Sequence, residues 1–225
     1  MDAIVPPKDV TFDFRTLSAR DRYKLMIGTV VPRPIALVTT VDPKGNINAA
    51  PFSFFNCLSA DPPILALGVE NHPDMSLKDT ALNIRLTEVF TVNIVSHAIA
   101  EAMHTCAVPF AAGRDELQAA GLTAMPGSVV ASPWIKEAPA SFECRRHLTL
   151  ELGKSRQIIL GEIVFAHYHD DIIDTERMRI DPAKLDAIAR LGGSTCSTIR
   201  DRFEMPTPTL ADFEAGETSS PDQKS

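Results

Sequence analysis

Lys78, Asp79 and Thr80 stand together where a helix is predicted to begin. A helix start leaves backbone N–H groups unpaired and carries the positive end of the helix dipole, so an anion is welcome there. Lys78 would add charge and Thr80 a hydroxyl donor. The competing reading is plainer: Asp79 or Thr80 caps the helix and Lys78 is a solvated charge. A second grouping, Pro51-Phe52-Ser53-Phe54-Phe55-Asn56, sets two polar side chains among three aromatic rings. Ser53 and Asn56 can meet the polar edge of a ligand while a ring covers its apolar surface. Side chains alternate along a strand, so the three phenylalanines cannot share one side, and at least one belongs to the core. Thr39 and Thr40, on the preceding strand, either serve the same edge or are ordinary β-branched strand residues. Arg33 is held extended between Pro32 and Pro34. Its guanidinium either grips a ligand or makes a salt bridge that closes the end of a barrel.

The commoner catalytic signatures are absent from the sequence: no Walker A loop, no G-x-G-x-x-G, no G-x-S-x-G, no H-E-x-x-H and no Cys/His pair at zinc-like spacing. His167 and His169 would share one face of a predicted strand, but no third ligand accompanies them. They read as a polar strand edge, and no metal is expected.

The elements that must position these residues are β-rich. Ser18, with Asp21 three residues on, opens a helix that runs to Gly28. Residues 34–41 and 46–55 read as a hairpin around the turn Asp42-Pro43-Lys44-Gly45. Residues 64–69 form a third strand after Asp61-Pro62-Pro63, and 79–88 a helix before a strand at 89–95. Ser96 starts another helix, and 114–120 is a helix that stops at Gly121. Strands at 146–152 and 157–168 face each other across a turn at 153–156, the second apolar on both faces for part of its length. Successive strands joined by hairpins, with short helices between them, favour a mainly β (α+β) fold: an antiparallel Greek-key split β-barrel with short peripheral helices. The domain spans residues 16–205. Residues 1–15 form an irregular arm, and 206–225, poor in apolar residues, a disordered tail.

A chain of 225 residues can bury one core of ordinary size, and 44% hydrophobic with 23% charged residues is globular composition. A net charge of −7 without a Lys/Arg run argues against nucleic acid as a partner. No apolar run is long enough to span a bilayer. Four scattered cysteines, with no basic-then-apolar leader, fit free thiols in the cytoplasm.

In order along the chain stand Arg33-Pro34-Ile35-Ala36, then Asn48-Ala49-Ala50-Pro51-Phe52-Ser53-Phe54-Phe55, Asp61-Pro62-Pro63, Lys78-Asp79-Thr80 with Asn83, and Arg190-Leu191-Gly192-Gly193. Together they resemble the flavin reductase-like, FMN-binding split-barrel family, whose members carry R-P-I-A, N-x-A-P-F-S-x-F, D-P-P, K-D-T-x-x-N-I and R-L-G-G. The likeness covers residues 16–205. It implies FMN with its phosphate at Lys78, Asp79 and Thr80. It sets the pyrimidine edge near Thr39, Thr40, Ser53, Phe54 and Asn56, with Arg33 on phosphate or a pyrimidine carbonyl. Gly192 and Gly193 would let backbone approach the cofactor or a partner subunit. The catalytic work then falls to flavin N5, with hydride from NAD(P)H, in a homodimer that holds FMN near its interface.

Many relatives carry an aromatic residue where this chain has Cys196. With His147 beside Arg145 and Arg146, Cys196 is assigned to the substrate pocket. Three functions fit the resemblance: an NAD(P)H:flavin reductase that feeds a partner monooxygenase, an FMN enzyme that reduces a small organic substrate such as a nitroaromatic acid, and a non-catalytic flavin-binding electron carrier.

Overall fold

The computed structural model describes residues 8–110, 113–153 and 155–213. Helix α1 (Ala19–Thr29) starts as its sequence requires: Ser18 Oγ accepts from the Asp21 amide (3.1 Å) and donates to the Asp21 carboxylate (2.6 Å). After β1 (Arg33–Pro34) come β2 (Ala36–Val41) and β3 (Ile47–Phe52), an antiparallel pair. Their turn is tied by the Asp42 carboxylate, which accepts from the Lys44 and Asn46 amides. The strand predicted over 46–55 does not run through: the chain turns at Ser53 and Phe54 before β4 (Phe55–Ala60). Strand β5 (Pro63–Glu70), α2 (Asp79–Thr87) and β6 (Val89–Ile94) follow close to expectation.

Beyond Ser96, whose side chain makes no capping bond, a 3-10 turn at His97–Ile99 leads into α3 (Ala100–Thr105). Helix α4 (Glu116–Ala120) begins two residues later than predicted, because the Asp115 side chain takes the cap position and accepts from the Gln118 amide; Gly121 closes it with φ 69°. Short strands β7 (Ala124–Met125) and β8 (Trp134–Ile135) pair beneath the long hairpin of β9 (Ala140–Leu152) and β10 (Arg156–Tyr168). Strand β9 starts six residues before its predicted start. Its first part holds Ser141 and Glu143, polar residues that break an apolar pattern yet are buried. The chain finishes with β11 (Ile173–Asp174), β12 (Arg179–Ile180), α5 (Pro182–Leu185), β13 (Ile188–Arg190) and β14 (Cys196–Thr198).

Seven strands form one antiparallel sheet in the order β3-β2-β6-β9-β10-β5-β4, and β1-β13-β14 form a second. The large sheet curls around a core built from Val38, Leu67, Phe90, Val92, Cys144 and Ile159, into which α2 sends Ala81 and Ile84. The other face of β2 packs Leu37 against Met103 of α3, Leu117 of α4 and Ile135. Both faces of β2 are therefore buried, and the fold is a split β-barrel with helices at its periphery. Phe90 fills the interior only because Gly161 stands opposite: a Cβ there would lie 2.2 Å from Phe90 Cζ.

Residues 8–15 carry no helix or strand. The tail expected to be disordered from Pro206 contains one helical turn at 210–213, started by reciprocal bonds between Thr209 and Asp212. The rest of the predicted arm and tail lies outside the described residues. Among the described residues no helix is long and apolar enough to cross a membrane.

Candidate functional site

The start of α2 is bound to the edge of the sheet by a polar ladder. Asn48, on β3, donates from Nδ2 to Thr80 Oγ1 (3.1 Å) and more distantly to Thr40 Oγ1 (3.4 Å), while Asn83 donates to the same Thr40 oxygen at 3.1 Å. Thr40 is fully buried, so it holds the two asparagines rather than facing a ligand. Lys78 occupies the cap position of α2, yet among the described residues neither it nor any other side chain caps the helix. The first-turn amides keep their outward donors, next to an ammonium group and an oriented hydroxyl. The expectation that Asp79 or Thr80 merely caps the helix does not hold in this structure.

Three hollows meet at Pro51 and Phe52. The first, about 300 Å³, runs from Asn48 and Phe52 to Lys78, Asp79 and Thr80, with Val108 and Phe110 on its far wall. A second, about 150 Å³, shares Lys78 and adds Ser53, Phe54, Gly68 and Arg156. Here Arg156 lies 4.6 Å from the centre of the Phe54 ring, and Tyr23 leans on that ring at 6.3 Å. The third, about 230 Å³, is bordered by Arg33, Arg190, Gly193 and His104. A larger cavity of about 420 Å³ lies at the Asp42 turn, but its lining has no cation and no free helix start. The size of that cavity therefore does not mark it as the site.

Glu116 closes the free edge of β3 by accepting from the Ala49 amide at 3.0 Å. Burial raises its carboxyl above the ordinary range, and negative Asp115 and Asp79 add to the effect. Burial, with the negative charges of Glu116 and Asp115, pushes the Cys106 thiol up to about 12. Cys106 is an inert lining residue at neutral pH.

Lys78, Asp79, Thr80, Ser53, Phe54 and Gly193 line these hollows. Several other assignments need correction. Thr39 and Thr40 cannot serve one edge, because alternation sends them to opposite faces. Thr39 is fully buried, donates to the Pro133 carbonyl and accepts from Asn93. Asn56 is exposed on β4, where its Oδ1 accepts from the neighbouring Cys57 amide. His147 is exposed on the β9–β10 hairpin, 3.8 Å from Glu162, and borders none of the three hollows. Arg146 beside it makes a two-pronged pair with Glu88, at 2.6 Å for each bond.

Arg33 borders the third hollow, and among the described residues it does not make the salt bridge considered for it. Its two terminal nitrogens donate to the carbonyls of Ile27, Val30 and Leu191. Gly192 packs against α1: a Cβ there would meet the Gly28 Cα at 3.3 Å. Cys196 is exposed and stands opposite Arg190 in the β13–β14 pair. His167 and His169 diverge. His167 pairs with Glu143 at 2.7 Å, and His169 meets the Lys136 carbonyl at 2.8 Å.

Asn48 and Asn83 lay within the recognised motifs, and their alignment with Thr40 and Thr80 could have been inferred from strand and helix spacing. Arg156, Tyr23 and Glu116 had no local signal. Register alone brings Arg156 opposite Glu70 and hence beside Phe54.

The family described as a flavin reductase like domain matches residues 27–181. An uncharacterized protein of Deinococcus radiodurans is 41% identical over 209 residues, covering 90% of this chain and 92% of that protein. Nitrilotriacetate monooxygenase component B from Bacillus cereus superposes with a TM-score of 0.85 at 28% identity, covering 89% of this chain and all of the other. The 2-nitrobenzoate 2-nitroreductase NbaA of Pseudomonas fluorescens does so with a TM-score of 0.81 at 34% identity, covering 89% and 98%.

Proposed function

The chain belongs to the flavin reductase-like family, and on that premise we propose that it is an FMN-dependent oxidoreductase that takes its hydride from NAD(P)H. The observation that carries FMN is the uncapped start of α2, with Lys78 beside it and Thr80 oriented by Asn48. These groups match a phosphate dianion: amide donors, a cation and a hydroxyl. The adjoining corner suits a flavin ring, since Ser53 offers a polar contact and Tyr23 and Phe54 an aromatic wall braced by Arg156. When bound, FMN supplies the hydride-accepting chemistry. The work of the protein is to anchor the phosphate at α2, hold the ring at the Pro51–Phe52 corner and exclude water from it.

Two readings divide at the electron acceptor. The acceptor would be a partner monooxygenase, as the likeness to a monooxygenase component B suggests, or a small organic substrate such as a nitroaromatic acid reduced on a retained FMN, as the likeness to a nitroreductase suggests. The homodimer expected from the resemblance has a suitable contact in the β9–β10 hairpin. There Leu148, Leu150 and Leu152 are exposed on one side, next to Leu160 and Ile158. Sedimentation equilibrium reads such a contact directly.

Equilibrium titration with FMN tests the phosphate site. Lys78→Ala combined with Thr80→Ala is expected to weaken binding by about 1–3 kcal/mol, the scale of charge-assisted hydrogen bonds. Unchanged affinity would remove the assignment of α2 to phosphate. Bleaching of the visible flavin spectrum on anaerobic addition of NADH or NADPH tests the electron donor.

A further inference from the structure

Strands β1 and β13 pair so that Arg33 faces Arg190 directly, and like charges opposed across strands repel. Arg33 is only 7% exposed, and its terminal nitrogens bond three neutral carbonyls while Nε has no partner. Arg190 donates from Nε and Nη2 to the Gly193 carbonyl alone. Among the described residues no carboxylate forms an ion pair with either, and Arg33 differs from the other unpaired arginines in being buried. A cation held out of water without a counter-ion is costly, and a bound anion would remove the cost.

The hollow beside the two arginines has the shape and lining for such a ligand. Its 230 Å³ accept one ring with a small substituent, and no Asp or Glu borders it. Ile27, Ile35, Phe52 and Met103 give it an apolar floor, with His104 at the rim. It shares Pro51, Phe52 and Ser53 with the hollow assigned to the flavin ring. Cys196 extends the same cross-strand row, Arg33–Arg190–Cys196, and its short side chain leaves the row open next to Arg190.

We propose that this hollow is the acceptor-substrate subsite and that it takes an aromatic carboxylic acid bearing a nitro group: the carboxylate is bound and unchanged, while the nitro group takes two electrons, drawn from NAD(P)H, and two protons to become a nitroso group and water. Arg190 receives the carboxylate, and buried Arg33 supports it through charge. The inference rests on the flavin reading above, because the hollow gains its role from adjoining that ring. Arg190 is the residue to vary, since Arg33 ties α1 to the barrel and its loss would unsettle the fold. Its free Nη1 and its planar head suit a carboxylate.

The test is calorimetric titration of the full chain, with and without saturating FMN, using three probes: benzoate, neutral benzamide, and ADP-ribose for the diphosphate of the nicotinamide donor. Benzoate is expected to bind at least tenfold tighter than benzamide. Arg190→Gln should erase that preference, and Arg190→Lys should restore part of it. Equal binding of benzoate and benzamide to the unaltered protein overturns the proposal. So does an Arg190→Gln effect confined to ADP-ribose, which gives the charge to the donor, or a matching loss of FMN affinity, which gives it to the flavin. Failure to bind FMN, with benzoate still selected through Arg190, overturns the flavin reading and leaves the anion subsite standing.

Discussion

Two buried charges of opposite sign are treated in opposite ways. The Glu143 carboxylate, fully buried, accepts from the amides of Ser128, Val129 and Val130 at 2.6–3.0 Å and pairs with His167 at 2.7 Å. His167 in turn stacks on Trp134, with ring centres 4.4 Å apart. Burial alone would raise the Glu143 carboxyl, but His167 and the three amides outweigh it and hold the group below the ordinary glutamate range. Arg33, almost as buried, meets only carbonyls, faces a second arginine and keeps one donor without a partner. A polar group with every bond made is architecture: Glu143 fastens the loop at 126–133 to the barrel. A charge left without a counter-ion beside a hollow is the opposite case, and it is the one on which the proposed anion subsite rests.

The largest effect should follow from breaking the satisfied side of this comparison. Glu143→Ala leaves three amides without an acceptor and is expected to cost about 3–5 kcal/mol, read by urea unfolding at neutral pH. FMN affinity of the folded protein should change little, since Glu143 lies outside the three hollows. The pH dependence has a definite sign. A carboxyl held below its unfolded pKa contributes stability above that value, near 4.5, and loses it as pH falls through the folded value. The gap between the unaltered protein and Glu143→Ala should therefore be full at neutral pH and narrow below about 4.5. A gap smaller than 1 kcal/mol at neutral pH would show that the loop holds without the carboxylate.

These contacts also mark where sequence reasoning stops. The hairpin 36–52, α2, the apolar β10 and the helix stop at Gly121 could be read locally, because period, turn residues and caps lie within a few positions of one another. The anion-ready start of α2 was legible for the same reason. Glu143 was not, because its partners at 128–130 and 167 are joined to it by a loop and a strand register that no local pattern encodes. Arg33 was noticed for its flanking prolines, but its carbonyl partners come from α1 and from the segment after β13. Only the paired sheet reveals that it faces Arg190. Thr39 differs from both, because strand alternation, a local rule, by itself sends it to the face opposite Thr40.

Sharpening the unsatisfied side calls for a smaller change. Cys196→Tyr places a ring in the Arg33–Arg190–Cys196 row without touching the core, because Cys196 is exposed on β14. Thermal stability should stay close to that of the unaltered protein. Benzoate affinity should fall severalfold as the ring covers Arg190, while FMN affinity is retained. If the variant does not fold, position 196 carries packing that its exposure hides. If it folds and binds benzoate as before, Cys196 is not beside the subsite.

Glu116 lies between the two extremes, and the smallest effect is expected there. Its carboxylate has one amide partner, at Ala49, but it is partly buried near Asp115 and Asp79, so the cost of burying its charge is not offset as it is at Glu143. Glutamine can still accept from the Ala49 amide and carries no charge to desolvate. The folded pKa of Glu116 is raised, so the unaltered protein loses stability as pH rises through that value, and Glu116→Gln escapes the loss. The variant should be more stable by a fraction of a kcal/mol at neutral pH. The advantage should vanish below about 4.5, where glutamate is protonated in both the folded and unfolded states. FMN should also bind slightly tighter at neutral pH, because Glu116 borders the same hollow as Lys78 and its negative charge opposes a phosphate. A variant that is less stable at every pH would mean that the charged acceptor at Ala49 outweighs its desolvation, and Glu116 would then belong with Glu143.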